Sequence, residues 1–446
     1  MPVKVGCISL GCPKNLVDSE IMLGMLNKND YQITIDLQKA DAIIINTCAF
    51  IGDAKEEAID AILSASLYKK TGNLKALIVT GCLAQRYKDE IIREIPEVDA
   101  VVGTGNIHEI QSVIKEHVTG SGQKRLFVND PKDIDYLDNI RMLSQTGSSQ
   151  YLKIAEGCSN HCTYCIIPYL RGPYRSRTLE SIVSEAEKLV TAGARELILV
   201  AQDVSKYGED RYGEYRLVEL IKKLSAIDEL KWIRLLYCYP ERITDELINE
   251  LKHNPKLLKY LDIPIQHASD RILKSMGRKT GRKELIELIE KLRSEIPGII
   301  LRTTLITGFP GETDRDFEIL KDFIIEYPFD RLGVFAYSRE EGTPAAKMKN
   351  QIEERVKQQR REEILSIQKD AAGSLIEKRL GQVFEVLVEG VADDGIFYYG
   401  RSYGEAPEID PVIYFTSIEP LETGSFVNVR ILNVEQMDLV GEVIFN

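Results

Sequence analysis

The chain has 446 residues, room for about three domains by length. With 44% apolar and 28% charged residues it has the composition of a folded soluble protein, and no stretch approaches the roughly 18 uncharged apolar residues of a membrane helix. Its net charge of −12 is concentrated: residues 380–446 hold twelve acidic residues against Arg401 and Arg430, a net of −10, so this segment repels phosphate backbones and suits basic partners.

The N-terminus, Met-Pro-Val-Lys-Val-Gly-Cys, lacks the apolar run and small-residue cleavage site of an export signal, which gives a cytoplasmic expectation. Residues 1–118 alternate strand patterns (3–9, 42–46, 76–80, 100–102) with helix patterns (16–26, 55–67, 89–95, 107–118). That alternation predicts a parallel sheet covered on both faces, a Rossmann-like domain. Residues 119–150, with Gly-Ser turns at both ends and mixed charge between, read as an inter-domain linker. A second α/β series fills 151–378, with strands at 151–155, 196–200, 232–236, 260–263, 299–306 and 331–335. It predicts a partial or full βα barrel, closed by a charged, amphipathic segment over 351–378. Residues 379–446 change to short alternating strands (383–388, 397–400, 412–414, 426–433, 439–445) and predict a small β-barrel. The fold class is therefore multidomain α/β with a C-terminal all-β module.

Eight cysteines are few for this length and are grouped, which in a reducing compartment favours metal ligation over disulfides. Cys158, Cys162 and Cys165 form CxxxCxxC directly after the first barrel strand, at the mouth where catalytic loops of this architecture lie. Three thiolates in one tight loop hold a 4Fe–4S cluster with one iron free of protein ligands, and that iron can chelate a small molecule. Structural zinc needs a fourth ligand, which His161, abutting Cys162, is badly placed to give. The spacing points to radical chemistry with S-adenosylmethionine.

Cys12, Cys48 and Cys82 have no local spacing, but each follows a predicted parallel strand by two or three residues. Strand ends at the carboxyl edge of such a sheet converge on one crevice, and Gly11 and Gly81 let the chain turn sharply there. These cysteines either hold a second cluster or are simply buried thiols. Cys7 and Cys238 read as buried. Gln202 and Asp203, after the second barrel strand, are candidate contacts for a ribose or amino acid moiety, and the turn at Gly308, after the fifth, would allow the backbone to approach a ligand such as S-adenosylmethionine; a solvated loop and a plain turn are the alternatives. Arg171, Arg175 and Arg177 flank the cysteine loop and either pair with a carboxylate or line a solvated face. Val102-Gly103-Thr104-Gly105 lacks the third glycine of a dinucleotide fingerprint and reads as a turn.

Five runs together resemble the methylthiotransferases, a branch of the radical S-adenosylmethionine enzymes: Ser9-Leu10-Gly11-Cys12-Pro13-Lys14-Asn15, Asn46-Thr47-Cys48-Ala49-Phe50, Thr80-Gly81-Cys82, Lys153 through Pro168, and Pro264-Ile265-Gln266-His267-Ala268. The resemblance covers essentially the whole chain. It implies an N-terminal domain whose Cys12, Cys48 and Cys82 hold an auxiliary 4Fe–4S cluster, a radical barrel whose cluster sits on Cys158, Cys162 and Cys165, and a TRAM-like C-terminal barrel for substrate recognition. It further implies two molecules of S-adenosylmethionine per turnover, one giving a methyl group and one a radical that abstracts hydrogen, and an electron donor such as flavodoxin or ferredoxin. One branch of the family modifies an adenosine beside the anticodon of transfer RNA; the other modifies the β-carbon of an aspartate in the twelfth protein of the small ribosomal subunit. The stretch from Gly404 to Asp410 is similar to the ribosomal-protein branch, although Pro411 stands where glycine is expected. The acidic C-terminal segment agrees, since it suits a basic ribosomal protein and makes direct nucleic-acid binding unexpected.

Overall fold

The computed structural model describes residues 2–27, 31–122, 125–131, 134–138, 140–144 and 147–445. The N-terminal sheet comprises β1 (Val3–Ser9), β2 (Tyr31–Ile33), β3 (Ala42–Thr47), β4 (Ala76–Gly81), β5 (Ala100–Val102) and β6 (Leu126–Phe127), in the order β2-β1-β3-β4-β5-β6. Every pairing is parallel. β3 and β4 are buried along their whole length. Their unbroken apolar runs follow from helices covering both faces. The strand order is the doubly wound one whose switch point lies between β1 and β3, where ligands bind outside the carboxyl ends.

Two strands escaped the sequence pattern. β2 is a three-residue edge strand, and β6 falls within the expected linker 119–150. That segment, parts of which lie outside the described residues, is not a solvated connector. It lends β6 to the sheet and buries Ile134, Tyr136 and Leu137. The helix expected over 89–95 begins earlier, at Cys82 (Cys82–Glu94), because Gly81 at φ +90° turns the chain from strand into helix without a loop.

Six parallel strands form the central sheet: β7 (Ser149–Lys153), then, after the separate antiparallel pair of two-residue strands β8 (Ala155–Glu156) and β9 (Arg175–Ser176), β10 (Glu196–Val200), β11 (Trp232–Leu235), β12 (Leu257–Asp262), β13 (Ile300–Thr307) and β14 (Arg331–Ala336). They lie side by side in chain order, and β7 and β14 are the two edges, so the barrel is partial. Thr178, Thr244 and Thr313 cap three of its helices, each hydroxyl accepting from the amide three residues on. The N-terminal domain spans the opening. Its helix Pro13–Leu26 packs on β7, while Lys55 and Arg86 pair at 3.0 and 2.6 Å with Glu340 in the loop after β14.

The C-terminal strands β15 (Val383–Val391), β16 (Tyr398–Arg401), β17 (Ile413–Thr416), β18 (Phe426–Glu435) and β19 (Asp438–Val443) close into a barrel ordered β15-β16-β17-β19-β18. Its core is Val386, Val388, Ile413, Phe415, Val429 and Ile431. The segment 402–410 leaves this barrel and packs against the early part of the central strands. Arg401 and Arg234 both pair with Glu196, at 2.8 and 2.7 Å. Glu405 pairs with Arg331 and Arg379, and the Tyr260 hydroxyl donates to Asp410 at 2.6 Å. Among the described residues, no helix is long and apolar enough to cross a membrane.

Candidate functional site

The register of the N-terminal sheet aligns Ser9 with Asn46 and Asn46 with Thr80. Cys12, Cys48 and Cys82 lie two or three residues beyond that row, at the carboxyl ends of three adjacent strands. Cys12 caps the helix that starts at Pro13, whose missing N–H costs nothing at a first turn. Gly11 and Gly81, at φ +88° and +90°, are required rather than convenient. A β-carbon on Gly11 would sit 2.6 Å from the Cys48 Cβ, and one on Gly81 2.3 Å from the Asn46 Oδ1. Asn15 and Asn46 lock the crevice: Asn15 Nδ2 donates to the Leu10 and Thr47 carbonyls, both at 3.0 Å, and Asn46 Nδ2 to the Asn15 carbonyl at 2.8 Å.

The three thiols are within electrostatic reach of one another. Burial, with the nearby Cys82 and Cys12, pushes Cys48 up to about 12. Burial likewise raises Cys82, against the pull of Arg171. For Cys12 burial is outweighed by the Lys14 and Arg171 cations and the Asn15 and Lys14 amides, and its thiol lies below the ordinary value.

The second cysteine loop leaves the carboxyl end of β7 through β8. Gly157 turns it at φ +80°, where a β-carbon would meet the Pro173 carbonyl at 2.1 Å. His161 adopts a left-handed φ of +50°, and Thr163 clips the loop to Met276 by a 2.9 Å backbone bond. Cys162 is the near neighbour of both other thiols. Burial pushes Cys158 up to about 11 and raises Cys165. The Cys162 sulfur lies 3.7 Å from the Tyr239 hydroxyl and 4.0 Å from Arg278 Nη1. Asn160, within the loop, donates to Asp203 at 2.9 Å and accepts from Arg242 at 2.9 Å.

Among the described residues no group of three or more His, Cys, Asp or Glu side chains is arranged around a single ion. In each triad the thiols nonetheless lie within electrostatic reach of one another, as all-sulfur donor sets in largely buried, glycine-relieved crevices. That suits a cluster, in which each thiolate takes its own iron and the ligands stand apart, better than a tetrahedral zinc site.

Arg171 joins the two triads. It ends the short helix Ile167–Arg171 that follows the second loop, yet its Nε donates to the Cys82 sulfur at 3.4 Å. Its Nη1 pairs with Asp18 at 2.6 Å and Glu156 at 3.0 Å, and its Nη2 donates to Asn15 Oδ1. Lys153 Nζ meets Asp18 at 2.6 Å and also pairs with Glu156. The Tyr136 hydroxyl lies 3.3 Å from Asp18 and 3.1 Å from Glu156, two acceptors for its one proton. Two acids and two bases, none more than 3% exposed, thus form a neutral network across the domain junction. Although burial disfavours its charge, the two cations hold the Glu156 carboxyl well below the usual carboxylate range. Of the three arginines flanking the loop, Arg171 is the one that pairs with carboxylates at the junction; Arg177 is buried on Glu185 and Arg175 donates to the Pro131 carbonyl at 2.8 Å.

The proposed small-molecule contacts fare differently. Gln202 donates its amide to Glu156 at 2.6 Å and belongs to the junction network. Gly308 sits at φ +72° with its amide on Glu312 at 2.9 Å, and a β-carbon there would lie 2.3 Å from Lys357 Cγ. Close packing against Lys357 requires a glycine at this position. Asp203 binds Arg242 at 2.8 Å. Cys238 is fully buried, and burial raises Cys7 to about 12. Of the acidic C-terminal residues, Glu405 and Asp410 are spent inside the protein, whereas Asp393, Asp394, Glu408, Glu419, Glu422 and Glu435 face solvent. Sequence reading missed Asp18, Glu156 and Tyr237. Asp18 lies one helical turn beyond Asn15, a spacing that puts both on the face leaving Cys12.

Residues 4–103 match an uncharacterized protein family, UPF0004, residues 152–324 the radical SAM superfamily, and residues 380–444 the TRAM domain. The chain is 58% identical, over 100% of its length and 99% of the relative's, to a protein of Acetivibrio thermocellus named ribosomal protein uS12 methylthiotransferase RimO. Proteins of the same name from Lachnoclostridium phytofermentans and Clostridioides difficile are 53% and 51% identical, over 98% and 99% of this chain and 99% of each relative. In fold it is similar to the radical S-adenosylmethionine methyltransferase TsrM of Kitasatospora setae (TM-score 0.57, 13% identity, 77% of each chain). It is likewise similar to the cobalamin-dependent radical enzyme OxsB (TM-score 0.54, 12% identity, 84% of this chain and 56% of that one).

Proposed function

Because the chain belongs to the family of ribosomal protein uS12 methylthiotransferases, we propose that it transfers a methylthio group to the β-carbon of an aspartate in that ribosomal protein. Cys158, Cys162 and Cys165 would hold the cluster that binds S-adenosylmethionine; Cys12, Cys48 and Cys82 would hold the auxiliary cluster. The observation that carries this reading is Arg171, which leaves the loop of one triad and donates to a thiol of the other. When bound, these groups would supply reductive cleavage of S-adenosylmethionine and a site that holds the sulfur to be transferred.

The chain's own residues do the rest. Gly11, Gly81 and Gly157 give the thiols their approach. Asn15, Asn46 and Asn160 fix the loops that carry them. The junction network holds the two crevices at a set separation, and that fixed geometry is the protein's main contribution where cofactors carry the chemistry. No general base is needed for a radical hydrogen abstraction.

The same superfamily chemistry on transfer RNA is not favoured, because relatives at 50–58% identity over the whole chain are named for the ribosomal protein. The acidic C-terminal barrel also lacks the lysines and arginines that replace counterions on RNA. The substrate is a basic protein, the reductant a small acidic electron carrier such as flavodoxin or ferredoxin, and the compartment the cytoplasm.

The test uses anaerobically reconstituted protein. Mass spectrometry should find the methylthio mass on uS12 and none on transfer-RNA nucleosides; the reverse would sink the assignment. Cys158→Ala should end formation of 5′-deoxyadenosine. Cys82→Ala should keep that reaction and lose sulfur transfer.

A further inference from the structure

Lys14 stands in a place that ordinary stability does not explain. It is the second residue of the helix Pro13–Leu26, two residues after Cys12, and is only 9% exposed. A cation in a helix's first turn opposes the macrodipole, and burial of an ammonium is costly unless it is paired. Tyr237, Cys12 and Glu156 lie within electrostatic reach of Lys14, as does Arg171 with the same sign. Among the described residues no carboxylate pairs with the Lys14 ammonium and no acceptor takes a hydrogen bond from it. The ammonium lies over the face of Tyr237, 3.6 Å from nitrogen to ring centroid. Tyr237 follows β11 at the barrel mouth in a left-handed conformation, φ +62°. The ammonium therefore sits between the auxiliary crevice and the barrel mouth, anchored by a ring whose own backbone is strained to present it.

Resting on the reading above, in which the acceptor is an aspartate, we propose that Lys14 is the specificity-determining cation that binds the acceptor side chain's carboxylate. The β-carbon of an aspartate is bonded directly to its carboxylate carbon, so a carbon brought to the auxiliary crevice brings a carboxylate with it. That anion, stripped of water, needs a cationic partner. The cations acting on Cys12 are Lys14 and Arg171. Every nitrogen of Arg171 is already committed: Nε to Cys82, Nη1 to Asp18 and Glu156, Nη2 to Asn15. The network it belongs to is neutral by itself. Lys14 is left with three donor protons for an incoming anion.

The test measures binding of purified uS12 and of its variant with asparagine at the acceptor position to the reconstituted enzyme. A charge-assisted hydrogen bond predicts that the native enzyme prefers the aspartate form by about 10–100-fold. Lys14→Gln should bind both forms alike, at the level of the asparagine form, and Lys14→Arg should regain part of the preference. Iron content per chain, measured on the same samples, should match the native protein. The proposal is overturned if Lys14→Gln keeps the native preference, if the native enzyme has none, or if Lys14→Gln loses iron, which would make Lys14 a partner of the cluster. Failure of the native enzyme to methylthiolate uS12 would instead remove the functional reading on which the proposal rests, a separate outcome seen by mass spectrometry.

Discussion

Acid should release the C-terminal barrel before it unfolds the rest of the chain. Glu196 and Glu405 are buried, yet the arginines around them (Arg401 and Arg234 for the first, Arg379 and Arg331 for the second) overcome the effect of burial and pull each carboxyl from 4.5 down to about 2. A carboxyl whose folded value is depressed adds stability above its unfolded value and loses it as the pH falls toward the folded one. The loss therefore runs from about pH 4.5 down to about pH 2. At 1.36 kcal/mol per unit, each carboxylate contributes about 3 kcal/mol to the docked state.

The reporter is built in: the single tryptophan, Trp232, opens β11 and meets Phe426 of the C-terminal barrel edge-on, with centroids 4.8 Å apart. Its fluorescence should change over that window while far-ultraviolet circular dichroism holds. Glu405→Gln should bring the change to neutral pH or lower the urea midpoint, because two buried arginines lose their shared partner, at a cost of roughly 3–5 kcal/mol. If Glu405→Gln has the native acid profile and urea midpoint, the inference that these ion pairs hold the barrel in place is wrong.

Arg171→Met should destabilise the junction by about 3–5 kcal/mol, since Asp18 and Glu156 would then share only Lys153. Asp18→Asn in the same chain should recover part of that loss, as read from urea midpoints of single and double variants. Gly81→Ala should cost more than the ordinary 1 kcal/mol or so of a point change, because it is strained in φ and in contact with Asn46 and Thr47; loss of auxiliary iron with retained barrel iron is the spectroscopic readout. Gly308→Ala should lower thermal stability by displacing Lys357 from its seat, with iron content unaffected.

Much of this molecule is legible in its residues. Apolar runs such as Ala-Ile-Ile-Ile announce strands buried on both faces, and the six central strands follow one another in the sheet as they do in the chain. Cysteines after strand ends point to a rim, because a parallel sheet delivers all its carboxyl ends to one side. What stays hidden depends on contacts distant in sequence. Arg171 and Asp18 are 153 residues apart, and nothing local in either marks them as partners. The packing of Gly308 against Lys357, on a helix some fifty residues further on, is another contact that no local pattern announces. Glu405 and Asp410 look like surface acidity in a charge count, yet they are spent on arginines of another segment.

The way the N-terminal helix seats on the barrel edge has a consequence for dissection. Cut away before residue 119, the remainder would expose Lys153, Arg171 and Glu156 without Asp18, stranding one positive charge in a cavity shaped for none. The N-terminal sheet, expressed by itself, would keep Asp18 and Glu20 with no arginine to receive them. Three modules that look separable in the sequence share their counter-ions, and shuffling any one of them into another protein would require carrying its partners along.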